Sequence, residues 1–300
     1  MNGSPLQSPI AADAGIDAAA KGAADTGIDA AAKGAAARRL AAHRRARLRA
    51  SLLVLASQIA LLAAFIAFWE YMTAFDKQAA FMFGSPSAIA GFLLTMARDG
   101  SLWRDTYVTG VETLLGFLVG NVIGTLIGLS LWYSRFVSRV IEPFVIALGS
   151  IPIIALAPII IIWFGTGLTS KIAMSTLSVV IVALVTSYKG AVGVDADQIN
   201  LMRTLGASKF QIFRKLVVPA SLTDIFAGFK LTVGFALIGA IVGEFMSSSE
   251  GLGHAIFKAG SLYIIPKVFA ALVATIALAL VLTFIVGKVE KLLMPWRRLG

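Results

Sequence analysis

Apolar runs recur along the chain at about 52–74, 107–132, 141–164, 171–189, 226–246 and 268–288, each near the ~20 residues that a bilayer-spanning helix requires. The third run is interrupted. Pro152 and Pro158 in IPIIALAP each remove a backbone hydrogen bond, so this span is expected to be irregular and to wall a pathway. Between the fourth and fifth runs, Gly190–Asp224 breaks the pattern. It is too polar to span a membrane, yet Ile199, Met202 and Leu205 recur three apart, and Phe210, Phe213 and Leu216 repeat the spacing. This predicts two short amphipathic helices outside the bilayer, with Gly206 between them. Asp195 with Gln198 marks the first start, and Gly206 suits the left-handed position after the last turn. Ser208 with Gln211 forms a capping box. Pro219 is expected to stop the second helix, and Ser221 with Asp224 to cap the next span.

Composition agrees with the apolar runs. Hydrophobic residues make up 58% of the chain, charged ones 14%, and the mean hydropathy is +0.86. Charged residues average about 25% in soluble domains, so this is an all-α integral membrane protein. The net charge of +10 does not point to nucleic acid, because the basic residues flank apolar runs and no nucleic-acid reading motif accompanies them. Cysteine is absent, and the two histidines, His43 and His254, lie outside the spans, so no metal site or cofactor is expected. GTGLTSK (165–171) lacks the spacing of a phosphate-binding loop, so this chain is not expected to bind ATP itself.

Residues 1–50 are of another kind. GIDAAAKGAA stands at 15–24 and again at 27–36, too small-sided to bury a core, which predicts a low-complexity, disordered tail. Arg38, Arg39, Arg44, Arg45, Arg47 and Arg49 follow as a basic run before the first span. With the N-terminus inside, seventeen basic residues near span ends fall on the inner side and six on the outer. That asymmetry predicts both termini in the cytoplasm and a cytoplasmic loop 190–225. Residues 84–106 are then expected to form an amphipathic helix on the outer interface.

A few polar groups lie within the spans. Glu244 is either a functional carboxylate or an anchor for the SSSEGLG loop. Lys230 is expected to snorkel to the headgroups. Glu112 and Asn121, with Ser175 and Ser178, are candidates to line a pathway or to join helices. Gly116, Gly120, Gly124 and Gly128, four apart, predict close helix packing.

Gly206 and Pro219, separated by ASKFQIFRKLVV, resemble the signature loop of permease subunits of binding-protein-dependent ABC importers. Asn200, Leu201 and Met202 stand where that family has Glu-Ala-Ala. SIPIIALAPIIIIWFGTGLTSK (150–171), GEFMSSSEGLGHAI (243–256) and MPWRR (294–298) resemble its nitrate, sulfonate and taurine branch and the importers of thiamin or riboflavin precursors. The resemblance implies six transmembrane helices of the type I, methionine-permease-like (MetI-like) architecture. It divides the chain into a tail (1–50), a first helix and outer loop (51–83) and a permease core (84–297). It implies a bacterial inner-membrane permease moving a small anion or vitamin precursor, with ATPase subunits, an extracytoplasmic solute-binding protein and a second permease subunit, homo- or heterodimeric, as partners beside membrane lipid. A self-contained secondary transporter is the competing reading. The implied ATPase-coupling loop comprises Asn200, Met202, Arg203, Leu205, Gly206, Ala207, Phe210, Phe213 and Pro219. The candidate pathway residues are Pro152, Pro158, Ser175, Ser178 and Glu244.

Overall fold

A computed structural model describes residues 51–294, so the repeated tail, its arginines and the end of the MPWRR segment lie outside the described residues. By internal contacts the chain divides after Phe68. Helix α1 runs Ser51–Phe75. Its part up to Phe68 is apolar and exposed along most of its length, as suits a helix solvated by lipid.

The unit from Trp69 onward is all helical among the described residues. After α1 come α2 (Lys77–Phe83) and α3 (Pro86–Arg98), bent by 41°. Ser85 caps α3 by accepting the Ala88 N–H, Pro86 occupies its first turn, and Glu70 accepts the Ser87 N–H at 3.0 Å. Then follow α4 (Ser101–Ser130), a short 3₁₀ turn at Leu131–Tyr133, α5 (Arg135–Gly149), α6 (Ile153–Phe164) and α7 (Leu168–Val192). Past these are α8 (Ala196–Thr204), α9 (Lys209–Ile212), α10 (Val218–Ser247), α11 (Leu252–Ser261) and α12 (Ile265–Leu293). Among the described residues, five helices are individually long and apolar enough to cross a membrane, or up to seven if each bent pair counts as a span.

The core is the α4–α7–α10 bundle. The glycine stripe on α4 is what lets α7 approach. A Cβ on Gly124 would stand 2.5 Å from the Val180 carbonyl oxygen, and one on Gly128 would stand 2.4 Å from that of Leu184. Small residues at four-residue spacing therefore bring backbone against backbone inside one chain. Phe117, Val179, Ala183, Val233 and Ala236 fill the space between the three helices. Asn121 ties α4 to α10 by accepting the Thr232 hydroxyl at 3.1 Å. It satisfies its own amide on the Phe117 carbonyl, so this buried polar pair joins helices and lines no opening.

The interrupted third span is two helices bent by 93° at Ser150–Pro152. Pro152 sits at the α6 N-cap, where its missing N–H leaves no helical bond broken. Pro143 and Pro158 are accommodated inside α5 and α6. The expectation of a stop at Pro219 does not hold. Residues Lys209–Ser247 form one helical rod of 39 residues, with a π-turn at Phe213–Val217 just before the proline. The wider turn absorbs the bond that proline cannot donate. Ser221, expected to be a cap, is instead buried in the rod and donates to the Val217 carbonyl at 2.6 Å. Lys230 does not simply snorkel: it pairs with Glu290 of α12.

Candidate functional site

Three places among the described residues bear on the candidate site. The first is the segment joining α7 to α10. Asp195 caps α8 by accepting the Asp197 N–H at 2.9 Å; this Asx-type contact takes the place of a box with Gln198. Gly206 ends α8 at φ +78°, the left-handed position that favours glycine. Ser208 and Gln211 form the expected reciprocal capping box around α9.

The periodic apolar stripe, however, is split: Ile199, Met202, Phe213 and Leu216 face the bundle, whereas Leu205 and Phe210 do not. Ile199, Met202, Ala207, Phe213 and Leu216 pack on the cluster of Leu129, Ala191, Ile212, Val217 and Ile225. Phe213 also lies against the rings of Trp132 and Tyr133. Met202, Ala207 and Phe213 thus anchor the loop. The outward face carries Leu201, Leu205 and Phe210, which are 61%, 73% and 61% exposed, beside exposed Asn200 and Arg203. Pro219, also exposed, lies at the start of α10 rather than on this face. Leu201 is an exposed apolar residue of this face that the three-residue spacing misses.

The second place is a cavity of about 320 Å³ between the α5–α6 bend, α7 and α10. Its wall includes Leu148, Ile151, Leu156, Ile181 and Phe235, with Ser178 contributing a hydroxyl that donates to the Met174 carbonyl. No charged side chain lines it. Of the five pathway candidates, Ser178 lines this cavity and Pro152 shapes the adjoining bend. Pro158 is exposed elsewhere along α6. Ser175 is fully buried against Gly116, where an added Cβ would fall 2.2 Å from its Oγ. It is a packing residue.

The third place contains Glu244, which is 1% exposed. Its Oε2 accepts the Gly253 N–H at 2.5 Å and its Oε1 accepts the Thr109 hydroxyl at 2.6 Å. Thr109 in turn accepts the Leu252 N–H at 2.8 Å, and Asp105 accepts that of Gly251 at 3.2 Å. The N-cap residue of α11, Gly251, has no side chain to offer, so α4 and α10 supply the acceptors for its first turn. Gly251 and Gly253 leave the room: a Cβ would lie 2.2 Å and 2.6 Å from the Glu244 carboxylate oxygens. Lys171, also buried, lies near both Glu112 and Glu244 and donates to the carbonyls of Thr166 and Ser247. Of the two roles expected for Glu244, this geometry is that of the anchor.

Residues 120–295, more than half of the chain, match the family model described as "Binding-protein-dependent transport system inner membrane component". A riboflavin transport system permease protein of Chloroflexus aurantiacus is 35% identical over 231 residues, covering 77% of this chain and 86% of that protein. A putative aliphatic sulfonates transport permease protein of Bacillus subtilis is 28% identical, covering 78% and 85%. Among solved structures, an inward-facing form of the MetNI methionine ABC transporter superposes with a TM-score of 0.59 at 21% identity, over 65% of this chain and 97% of that one. The MetI-like helical fold is therefore present. The chain belongs to the family of inner-membrane components of binding-protein-dependent transport systems, and it is a permease subunit of an ABC transporter whose ATPase is a separate subunit.

Proposed function

We propose that the α8–α9 segment is the surface by which the ATPase subunit drives this permease, and that it lies in the cytoplasm with both chain termini. One observation carries the reading. Ile199, Met202 and Phe213 fix the segment to the bundle core, while Leu201, Leu205 and Phe210 stand exposed on a segment too polar to enter lipid. Each apolar side chain covered by a partner contributes about 1.5–3 kcal/mol, and Arg203 supplies a charged rim. Replacing Leu205 and Phe210 by Glu should abolish co-purification of the ATPase without lowering the yield of folded permease. Undiminished ATPase capture and uptake by that variant would refute the assignment.

The apolar cavity is proposed as this chain's share of the solute pathway, completed by a second permease subunit. A wall of aliphatic side chains, one aromatic ring and one hydroxyl, without a cation, suits a neutral, flat heteroaromatic solute better than a sulfonate. The Chloroflexus relative, named for riboflavin, is also more similar than the sulfonate permease. Uptake by the reconstituted transporter, measured with riboflavin, a formylated aminopyrimidine and an alkanesulfonate, discriminates these. Transport of the sulfonate alone would overturn the solute assignment and leave the permease role intact.

A further inference from the structure

We propose that a recess beside α8 binds the phosphate headgroup of an anionic phospholipid. The recess has a volume of about 430 Å³ and lies where α4 and α7 end. Its wall carries Trp132, Arg135, Ser138, Arg139, Glu142 and Tyr188, and Ala196 and Ile199 close it from the α8 side. Pockets of about 300–1,000 Å³ hold drug-sized ligands, so a glycerophosphate headgroup fits.

The charges favour an anion. Arg135 and Arg139 stand one turn apart on α5, both exposed, and neither forms an ion pair among the described residues. Glu142 shares the wall but lies beyond ion-pair distance of both. Two guanidinium groups on one helix face offer forked donors matched to phosphate oxygens. At the back of the recess the Ser138 hydroxyl donates to the Tyr188 oxygen. The phenolic proton of Tyr188 is not used in that bond and can be donated to a ligand. A third cation, Lys209, lies beside Trp132 of that wall. Its Nζ donates to the Tyr133 carbonyl and sits 5.9 Å and 5.6 Å from the ring centroids of Trp132 and Tyr133.

The surroundings favour a lipid over a soluble phosphate ester. Trp132 and Tyr133 are side chains of the kind that collect at the headgroup level, and they stand at the end of a membrane-crossing helix. On the neighbouring face of α5, Phe136, Val140 and Phe144 are exposed at four-residue spacing and give an acyl chain a wall. Basic recesses between helix ends at the membrane surface are suited to anionic headgroups.

The test is native mass spectrometry of the full chain, released from micelles doped with equal phosphatidylglycerol and phosphatidylcholine. The wild type should retain phosphatidylglycerol preferentially. Arg135→Gln with Arg139→Gln should lower that retention about tenfold. Arg135→Lys with Arg139→Lys should keep part of it, and Arg98→Gln with Lys258→Gln should leave it unchanged. Equal retention of both lipids by the wild type, or undiminished phosphatidylglycerol on the Gln double variant, would overturn the proposal. Displacement by micromolar sn-glycerol 3-phosphate would assign the recess to a soluble phosphate ester and overturn it as well.

Discussion

Glu244 closes off a helix that begins beyond its own: its carboxylate accepts the Gly253 N–H, nine residues ahead, at 2.5 Å. The same carboxylate accepts the Thr109 hydroxyl, so α4, α10 and the start of α11 meet on one side chain. Glu244→Leu leaves buried donors without an acceptor and should destabilise the chain by on the order of 3 kcal/mol. Glu244→Gln keeps the shape and one acceptor, and about 1 kcal/mol is expected. Thermal unfolding of the purified chain in detergent measures both. If Glu244→Leu unfolded at the wild-type temperature while transport was lost, the carboxylate would belong to the pathway.

The two glycines around that carboxylate should differ in tolerance. Gly251 has φ +107° and an added Cβ would stand 2.2 Å from the carboxylate, whereas Gly253 has ordinary backbone and a 2.6 Å approach. Gly251→Ala combines backbone strain with displacement of the buried acid, and a loss of about 3 kcal/mol or more is expected. Gly253→Ala should be milder, and the order of the two unfolding temperatures is the readout.

Packing of α4 on α7 gives a second contrast. Gly124→Val would drive a side chain into the Val180 carbonyl and should prevent accumulation of folded protein. At Gly234 on α10 an added Cβ meets nothing within 4 Å. Gly234→Ala should therefore be neutral or stabilise by about 0.5–1 kcal/mol, because alanine is the better helix former. Expression level and monodispersity on gel filtration separate these outcomes.

The Lys230–Glu290 pair joins α10 to α12 with the lysine side chain 43% exposed and the glutamate 8% exposed. Lys230→Met takes this cation from the buried Glu290 carboxylate, and a loss of about 1–3 kcal/mol is expected. Glu290→Leu removes the buried partner and leaves the ammonium free to reach water, so a smaller loss is expected. A double-mutant cycle on unfolding temperature should return a coupling of the same order. Zero coupling would mean that the pair contributes no stability.

Local chemistry was legible in the sequence, and long-range geometry was not. The Gly206 turn and the Ser208–Gln211 box depend only on neighbours within three or four residues, and both are present. The glycine stripe was readable because a period of four has few other uses in an apolar helix. The stop at Pro219 failed because a π-turn, which has no sequence mark, lets the helix continue. Periodicity found an apolar face on α8 but could not tell whether bundle or partner covers it; Ile199 and Met202 face the bundle. Pro152 marked an interruption, but the 93° of the bend depends on how α6 packs against α7 and α10. Lys171, which reads as an ordinary outer-loop cation, is buried by contacts to Thr166 and to Ser247, 76 residues away.

The unbroken rod from Lys209 to Ser247 sets where motion can go. At about 1.5 Å per residue it spans roughly 58 Å, with Phe210 near one end and Glu244 near the other. No loop intervenes to absorb a displacement. Its one irregular turn is the π-turn at Phe213–Val217, the natural place for any bending. On the proposed coupling role, a tug at the Lys209 end would reach the carboxylate that seats α11 as tilt or rotation of one rod, less whatever the π-turn absorbs.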